Sequence, residues 1–364
     1  YHAGLSFLRP GFNSRSGRHT QHKGCPAGAV NAKTALDILM NKARGMPNMP
    51  KLGVSACLLG EKVRYNGDGA EFRSLTRSWS HHLDLIGVCP EVGIGMGTPR
   101  PTIRLVNRDG KIHLVNPKTD DDFTQDMLEY AELQSDALMK AEICGFVFKK
   151  DSPSCGLERV RVYRDDQPQA IRNGTGLFAL VFTTLNPHIP VIEEGRLSDP
   201  LQAEHFLARV EFFSLWLEEG RGGWTADKLM RFHNTNKLFL LSRSPKAKRE
   251  LGRLLARVFE QGEHPDHAAL QYMTAAQKSL DVLTKPGPIA HAMERVLGRV
   301  SSKLTRGERQ EMLDVIHEYR RGLLPRSAPL TLLKHLIRRC DMETETNTRF
   351  ISPTPLSLGL MAKV

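Results

Sequence analysis

The sequence predicts an α/β fold: a mostly parallel, Rossmann-like sheet with helices on both faces, followed by an all-α second domain. Short apolar runs of strand length alternate with helical patterns from Lys51 to about residue 195, as in a parallel sheet. After Asp199-Pro200 no strand pattern remains, and helical periodicity continues to about Arg339. We therefore expect domains over 50–198 and 199–340, a basic, disordered extension over 1–49 and a tail over 341–364.

Five apolar runs carry the predicted strands of the first domain. They are Leu52–Leu58, Leu83–Val88, Phe146–Phe148, Val160–Tyr163 and Ile189–Ile192. In a parallel sheet, ligands bind beyond the carboxyl ends of the strands, so the residues that follow these runs are candidates for a functional site.

Helical spacing predicts the remaining elements. Phe123–Ile143 repeats apolar residues at helical intervals, and Gly174-Thr-Gly176 opens an apolar helix through residue 182. The second domain is helical over Leu201–Glu218 and again from Ala226 onward. Glycine and proline divide this last region at Pro245, 262–265, 286–288 and Pro325.

The N-terminal 49 residues have a different texture from the rest. They are basic and poor in acids, and only 29–45 has the pattern of an amphipathic helix. Such a leader can mimic a transit peptide. We favour an upstream extension, with Met46 or Met49 as the natural beginning.

Composition restricts the class of protein. Of the 364 residues, 40% are hydrophobic and 25% charged, which is ordinary for a globular protein. No apolar run approaches the roughly 18 residues of a membrane span, so no membrane association is expected. Six cysteines are too few for a disulfide-stapled scaffold of this size. We expect a reducing, cytoplasmic location, where clustered thiols act as ligands or nucleophiles.

The net charge of +11 is unevenly distributed along the chain. Residues 201–340 carry 24 Lys and Arg against 15 acids, whereas 51–200 carry 18 against 21. A basic module beside a nearly neutral one favours a polyanionic partner, with RNA the leading candidate. Within it, three arginines recur every four residues and share one helix face, a pattern suited to a phosphate backbone; they are Arg249, Arg253 and Arg257. A merely solvated helix face is the alternative.

Three cysteines are the most informative residues. Cys57, Cys89 and Cys155 each lie beside a strand-like run, just before a turn. Thiolates are soft ligands that favour iron–sulfur clusters, zinc or cuprous copper. Because there are three and not four, one coordination position would stay open for chemistry. Their spacing alone does not distinguish between these metals.

The motifs around the cysteines resemble the thiouracil desulfidase family, including two-domain members linked to desulfuration of 4-thiouridine in tRNA. The resemblance covers roughly 50–195, and a second one, to a helical domain often fused to desulfidases, covers about 200–340. The first rests on Val54-Ser-Ala-Cys-Leu-Leu-Gly60, Val63-Arg-Tyr-Asn-Gly67, Cys89-Pro-Glu-Val92, Gly97-Thr-Pro-Arg100 and Ser152-Pro-Ser-Cys-Gly156. The second rests on Arg231-Phe-His-Asn-Thr-Asn-Lys237 and Leu251-Gly-Arg253.

The resemblance implies a 4Fe-4S cluster held by the three cysteines, with one open iron site that binds the thiocarbonyl sulfur. The implied reaction is a hydrolytic, non-redox desulfuration that releases sulfide to an unknown acceptor. Glu91 matches the acid/base position of the family, and Ser152 matches a second catalytic position. Apart from the resemblance, Gly93–Gly97 has the pattern of a loop that lines the site, which makes Arg64 and Arg100 candidate substrate-binding residues, with a phosphate or the substrate carbonyl as the partner of Arg100.

Each assignment has a structural alternative. Glu91 could cap a helix, and Ser152 before Pro153 is a common N-cap arrangement. Cys144 is expected in the core, while nothing is assigned to Cys25 or Cys340.

The favoured substrate is 4-thiouridine in tRNA, because of the basic helical domain. Free thiouracil or a thionucleoside is the second possibility. Sulfur insertion is a further enzymatic alternative, but the chain has no G-x-x-x-x-G-K-S/T loop to activate a nucleotide. A non-catalytic RNA-binding iron–sulfur sensor is the third.

Overall fold

A computed structural model describes residues 49–164 and 167–342, together with Phe350, Ile351, Thr354, Pro355, Leu358 and Leu360. The extension predicted over 1–49, apart from Met49, and the helix expected over 29–45 lie outside the described residues, as does most of the predicted tail. No helix in the described ranges is long and apolar enough to span a membrane.

The first sheet is parallel throughout, as predicted. Its strands lie in the order β2-β1-β5-β8, and neighbouring strands pair in parallel. Their bounds are β1 Lys51–Ser55, β2 Asp84–Val88, β5 Ile143–Phe148 and β8 Val191–Glu193. The strand predicted over Leu52–Leu58 ends earlier, at Ser55, because Ala56–Leu59 forms a 3-10 helix. That helix ends at Gly60, which has a φ of 88°.

The structure also has a second four-stranded sheet, which the sequence did not predict. It has the order β4-β3-β6-β7, with β3 and β6 parallel and the two outer pairs antiparallel. The strands are β3 Arg104–Arg108, β4 Lys111–Val115, β6 Val160–Arg164 and β7 Gln167–Gly174. The run predicted at Val160–Tyr163 is therefore a strand, but it belongs to this sheet and not to the first one.

Four helices accompany the sheets: α1 Arg73–Arg77, α2 Pro90–Gly93, α3 Thr124–Lys140 and α4 Leu177–Leu185. Helix α4 packs Phe178 and Phe182 against Phe146 and Phe148 of β5, with ring centroids 5.3 to 6.1 Å apart. This aromatic cluster fixes one face of β5. The loop that follows β5 therefore leaves the sheet from a rigid base.

Between residues 199 and 342 the structure describes seven helices, as the loss of strand pattern predicted: α5 Pro200–Gly220, α6 Ala226–Arg243, α7 Pro245–Glu260, α8 Pro265–Ser279, α9 Pro286–Val300, α10 Arg306–Arg320 and α11 Ser327–Arg339. Four of them begin with proline, which suits the first turn because its backbone lacks the N–H that would be unpaired there. An unpredicted break separates α9 from α10, where Thr305 and Glu308 form a capping box.

Helix α5 joins the helical region to the sheet. A Cβ placed on Gly145 of β5 would lie 2.7 Å from Cγ2 of Val210 in α5, so only glycine permits this close approach. One hydrophobic cluster accordingly runs from β1 through α5 to α8. The boundary expected at 198/199 stays a prediction.

Candidate active site

The three predicted cysteines line one cavity of about 310 Å³. Cys57 lies in the 3-10 turn after β1, and Cys89 directly follows β2 as the N-cap of α2. Cys155 lies in the loop after β5. These three strands are neighbours in a parallel sheet, so their carboxyl ends meet at one edge and bring together residues far apart in sequence.

Burial holds the three thiols in their protonated form. It raises the pKa of Cys57 to about 11, with the nearby Cys89 adding to the shift. Burial also raises the pKa of Cys89, and raises that of Cys155 well above its ordinary value. Clustered thiols become thiolates only when a cationic group binds them, because metal coordination displaces their protons.

The donor set fits an iron–sulfur cluster. Thiolates are the usual ligands of such clusters, and the three thiols come from three separate loops around one cavity. No three His, Cys, Asp or Glu side chains within 49–164 and 167–342 form a set that could hold a single metal ion. The five cysteines in the same ranges are all free.

Glu91 lies in the same cavity, and its carboxylate is bonded on both oxygens. Arg100 donates to Oε2 from Nε at 2.9 Å and from Nη2 at 2.6 Å. The hydroxyl of Ser154 donates to Oε1 at 3.0 Å. Although Glu91 is in the first turn of α2, its side chain is thus committed to partners across the cavity, which weakens the capping alternative.

Arg100 is buried and is itself anchored to the backbone. Nη1 donates to the Gly97 carbonyl at 2.9 Å, and Nη2 donates to the Val63 carbonyl at 2.8 Å. Nη2 also lies 4.0 Å from Sγ of Cys89. With these partners the guanidinium positions Glu91, and Arg100 also lines the cavity, so its predicted contact with a phosphate or the substrate carbonyl stays a prediction.

Ser152 lines the cavity and also caps its own turn. Its Oγ accepts from the backbone N–H of Ser154 at 3.2 Å and of Cys155 at 3.1 Å. The structure therefore contains the capping hydrogen bonds that were the structural alternative for Ser152. These bonds do not exclude a chemical role, because a hydroxyl oxygen that accepts still has a proton to donate.

Three further residues at the site were given no role from the sequence, although Ser55 lies within the 54–60 motif. The Lys149 ammonium pairs with the buried Glu194 carboxylate, and its charge partly offsets the burial that raises the Cys57 pKa. Ser55 accepts from the backbone N–H of Lys149 at 2.9 Å and its side chain bonds the Cys155 thiol. Only the fold could reveal these contacts, since they join β1, β5 and the turn after β8.

Arg64 lines the same cavity, and its guanidinium lies 5.7 Å from the ring centroid of Tyr65; its role in substrate binding stays a prediction. Arg249, Arg253 and Arg257 are all exposed on α7. Arg243, which precedes that stripe, is instead buried against Glu204. Cys144 is buried in β5 and Cys340 is buried beyond α11, and neither is among the residues that line the cavity.

Comparisons with known proteins match two parts of the chain. The model of the 2-thiouracil desulfurase family matches residues 52–194, and a family described as a protein of unknown function, DUF1722, matches 237–355. Among solved structures, a 4Fe-4S-dependent thiouracil desulfidase, TudS, is 30% identical over 41% of this chain and 93% of its own, with a TM-score of 0.33. No curated protein matches the chain.

Proposed function

This chain belongs to the 2-thiouracil desulfurase family, and we propose that it removes sulfur from thiolated uracil by hydrolysis, with a 4Fe-4S cluster held by Cys57, Cys89 and Cys155. The observation that carries the proposal is the convergence of the three thiols on one cavity with Glu91. Three thiolates would leave one iron of the cluster without a protein ligand.

The cluster, when bound, supplies a Lewis-acidic iron that polarises the carbon–sulfur bond of the base. The protein supplies the proton transfers. The Glu91 carboxylate, held by Arg100 and Ser154, takes a proton from the attacking water. The hydroxyl of Ser152, whose oxygen is fixed by two backbone N–H groups, donates a hydrogen bond to the substrate in the cavity.

The favoured substrate is 4-thiouridine within tRNA. The support is the exposed arginine stripe of α7 on a region with nine more basic than acidic residues. Free thiouracil is the second candidate, because a cavity of about 310 Å³ is of the size that takes a small molecule. A cytoplasmic location stays a prediction.

Isotope labelling tests the reaction. The chain, loaded with its cluster under anaerobic conditions, is incubated with 4-thiouridine-containing tRNA in ¹⁸O-water, and the tRNA is digested to nucleosides. The proposal predicts uridine that carries one ¹⁸O and an equal amount of released sulfide. Uridine without the label would contradict hydrolysis. Unchanged tRNA together with turnover of free thiouracil would move the assignment to the second candidate.

A further inference from the structure

A second cavity, of about 490 Å³, lies in the helical region away from the cysteines. It is enclosed by the start of α5, the start of α9, the end of α10 and the loop that leads to α11. Its walls are mainly aliphatic, with Ile289 and Leu324 among them, and only a few polar groups face it. A mostly apolar cavity with few polar groups is the usual form of a small-molecule site.

The polar end of this cavity is a buried group of three ionic side chains. Glu204 of α5 is completely buried, and Arg243 donates to it through both Nη atoms. Arg326 donates to the same carboxylate from Nη1 at 3.0 Å. Burial alone would raise the pKa of Glu204, but the charges of the two arginines lower it to about 2. The carboxylate is therefore ionised, and the group carries one surplus positive charge.

The surplus charge is not neutralised nearby by the described residues. Within 49–164 and 167–342, neither arginine forms an ion pair with a carboxylate other than Glu204. Asp199 lines the cavity as well, but it is exposed and its carboxylate caps α5 by accepting from the Leu201 N–H at 2.8 Å. A buried, unbalanced guanidinium is strongly unfavourable unless an anion accompanies it.

One of two buried donors without a partner belongs to Arg326, which lines this cavity. The Nε atoms of Arg326 and Arg243 are buried and have no hydrogen-bond partner among the described residues. Leaving such a donor unpaired destabilises the fold, and more so when the group is charged. Arg326 lines the cavity, where a bound anion could supply the missing charge.

We propose that this cavity binds a small organic anion, a carboxylate with an aliphatic body. The carboxylate contacts Arg326, and the aliphatic part lies against Ile289 and Leu324. The inference does not depend on desulfuration, because no residue of the cysteine cavity takes part.

Calorimetric titration of the full-length chain with hexanoate, hexanamide and acetate tests the proposal. Hexanamide keeps the aliphatic body without the charge, and acetate keeps the charge without most of the body. We expect hexanoate to bind at least tenfold more tightly than either, because a buried charged hydrogen bond and apolar burial both contribute. Failure of hexanoate to bind, or equal binding of hexanamide, would overturn the proposal.

Three variants locate the site. Arg326→Leu leaves Glu204 and Arg243 as a balanced pair, and Leu324→Trp fills the cavity without touching the charges. Both should reduce hexanoate affinity at least tenfold while circular dichroism and desulfidase activity stay as in the parent. Leu332→Trp, at an exposed position of α11, is the matched control and should bind normally. Binding that survives in both cavity variants would contradict the assignment.

Discussion

Arg100 holds Glu91 by two N–H groups that converge on one carboxylate oxygen, at 2.9 and 2.6 Å. The same guanidinium reaches the Val63 carbonyl and passes 4.0 Å from the sulfur of Cys89. The orientation of the acid/base candidate and the wall of the thiol cavity thus depend on one buried arginine. This arrangement makes Arg100 a positioning residue in the proposed reaction.

Arg100→Gln should lower kcat about tenfold to a hundredfold, because charged hydrogen bonds of this kind contribute about 1.5–3 kcal/mol. KM should change little, and iron and sulfide content should stay at parent level. Arg77→Gln, at an exposed position of α1, serves as the control. A variant with full kcat would contradict the positioning role.

Ser154→Ala should lower kcat by about tenfold, since it removes the bond to the second oxygen of Glu91, and hydrogen bonds to a charged group contribute about 1.5 kcal/mol or more. The double variant with Arg100→Gln should lose less than the product of the two single effects, because both residues act on one carboxylate. Steady-state kinetics of the four proteins measures this coupling. Strictly multiplicative effects would indicate that the two residues act independently.

Single replacement of Cys57, Cys89 or Cys155 by Ala should abolish stable cluster loading, because each supplies one of three ligands. Cys144→Ala should load normally, since that thiol is buried in β5 and is not among the residues that line the cavity. Iron and acid-labile sulfide, measured after anaerobic reconstitution, distinguish the two groups. Full loading of all three ligand variants would remove the basis of the site.

The arginine stripe should act on tRNA and not on the free base. Replacing Arg249, Arg253 and Arg257 by Ala should make the log–log salt dependence of tRNA binding shallower by about 2, since each lost phosphate contact changes the slope by roughly 0.7–0.9. Turnover of free thiouracil should not change. A matched triple variant on α10, Arg306→Ala, Arg309→Ala and Arg320→Ala, removes the same charge elsewhere. If both triple variants changed the salt dependence of tRNA binding equally, the change would reflect net charge alone and not the arginine stripe.

Glu204 should make the fold sensitive to acid. Its pKa is about 2 in the folded chain and about 4.3 when unfolded, so its stabilising effect is complete above about pH 4.3 and is lost progressively toward pH 2. Glu204→Gln, which mimics the protonated form, should lower the free energy of unfolding by about 3 to 5 kcal/mol at neutral pH. The difference in the free energy of unfolding between the parent and this variant should become smaller as the pH falls. Urea unfolding at several pH values measures it, with Glu250→Gln as the exposed control.

The sequence predicted what depends on local pattern and on motifs. Parallel strands ending beside cysteines, and breaks between helices at Pro245, 262–265 and 286–288, follow from apolar period and turn chemistry, and the structure has both. The second sheet was missed because β3, β4 and β7 are rich in charged and polar residues, and in β3 and β7 these do not alternate with apolar ones.

Contacts between distant segments could not be predicted. Arg243 reads as part of a basic surface in sequence, yet it is buried because Glu204, 39 residues away, lies opposite it. Ser154 and Lys149 likewise gain their roles from partners 63 and 45 residues away along the chain. Only the packing of several elements brings such groups together.

The central claim is that the three-cysteine cavity with Glu91 removes sulfur from thiolated uracil in tRNA. The most direct test follows the near-ultraviolet absorption band of 4-thiouridine in tRNA mixed with the cluster-loaded chain. The account predicts that the band disappears over many turnovers, and that it persists with Cys155→Ala and with Glu91→Ala. A band that persists with the fully loaded parent, on tRNA and on free thiouracil alike, would contradict the account and favour an iron–sulfur protein that binds RNA without turning it over.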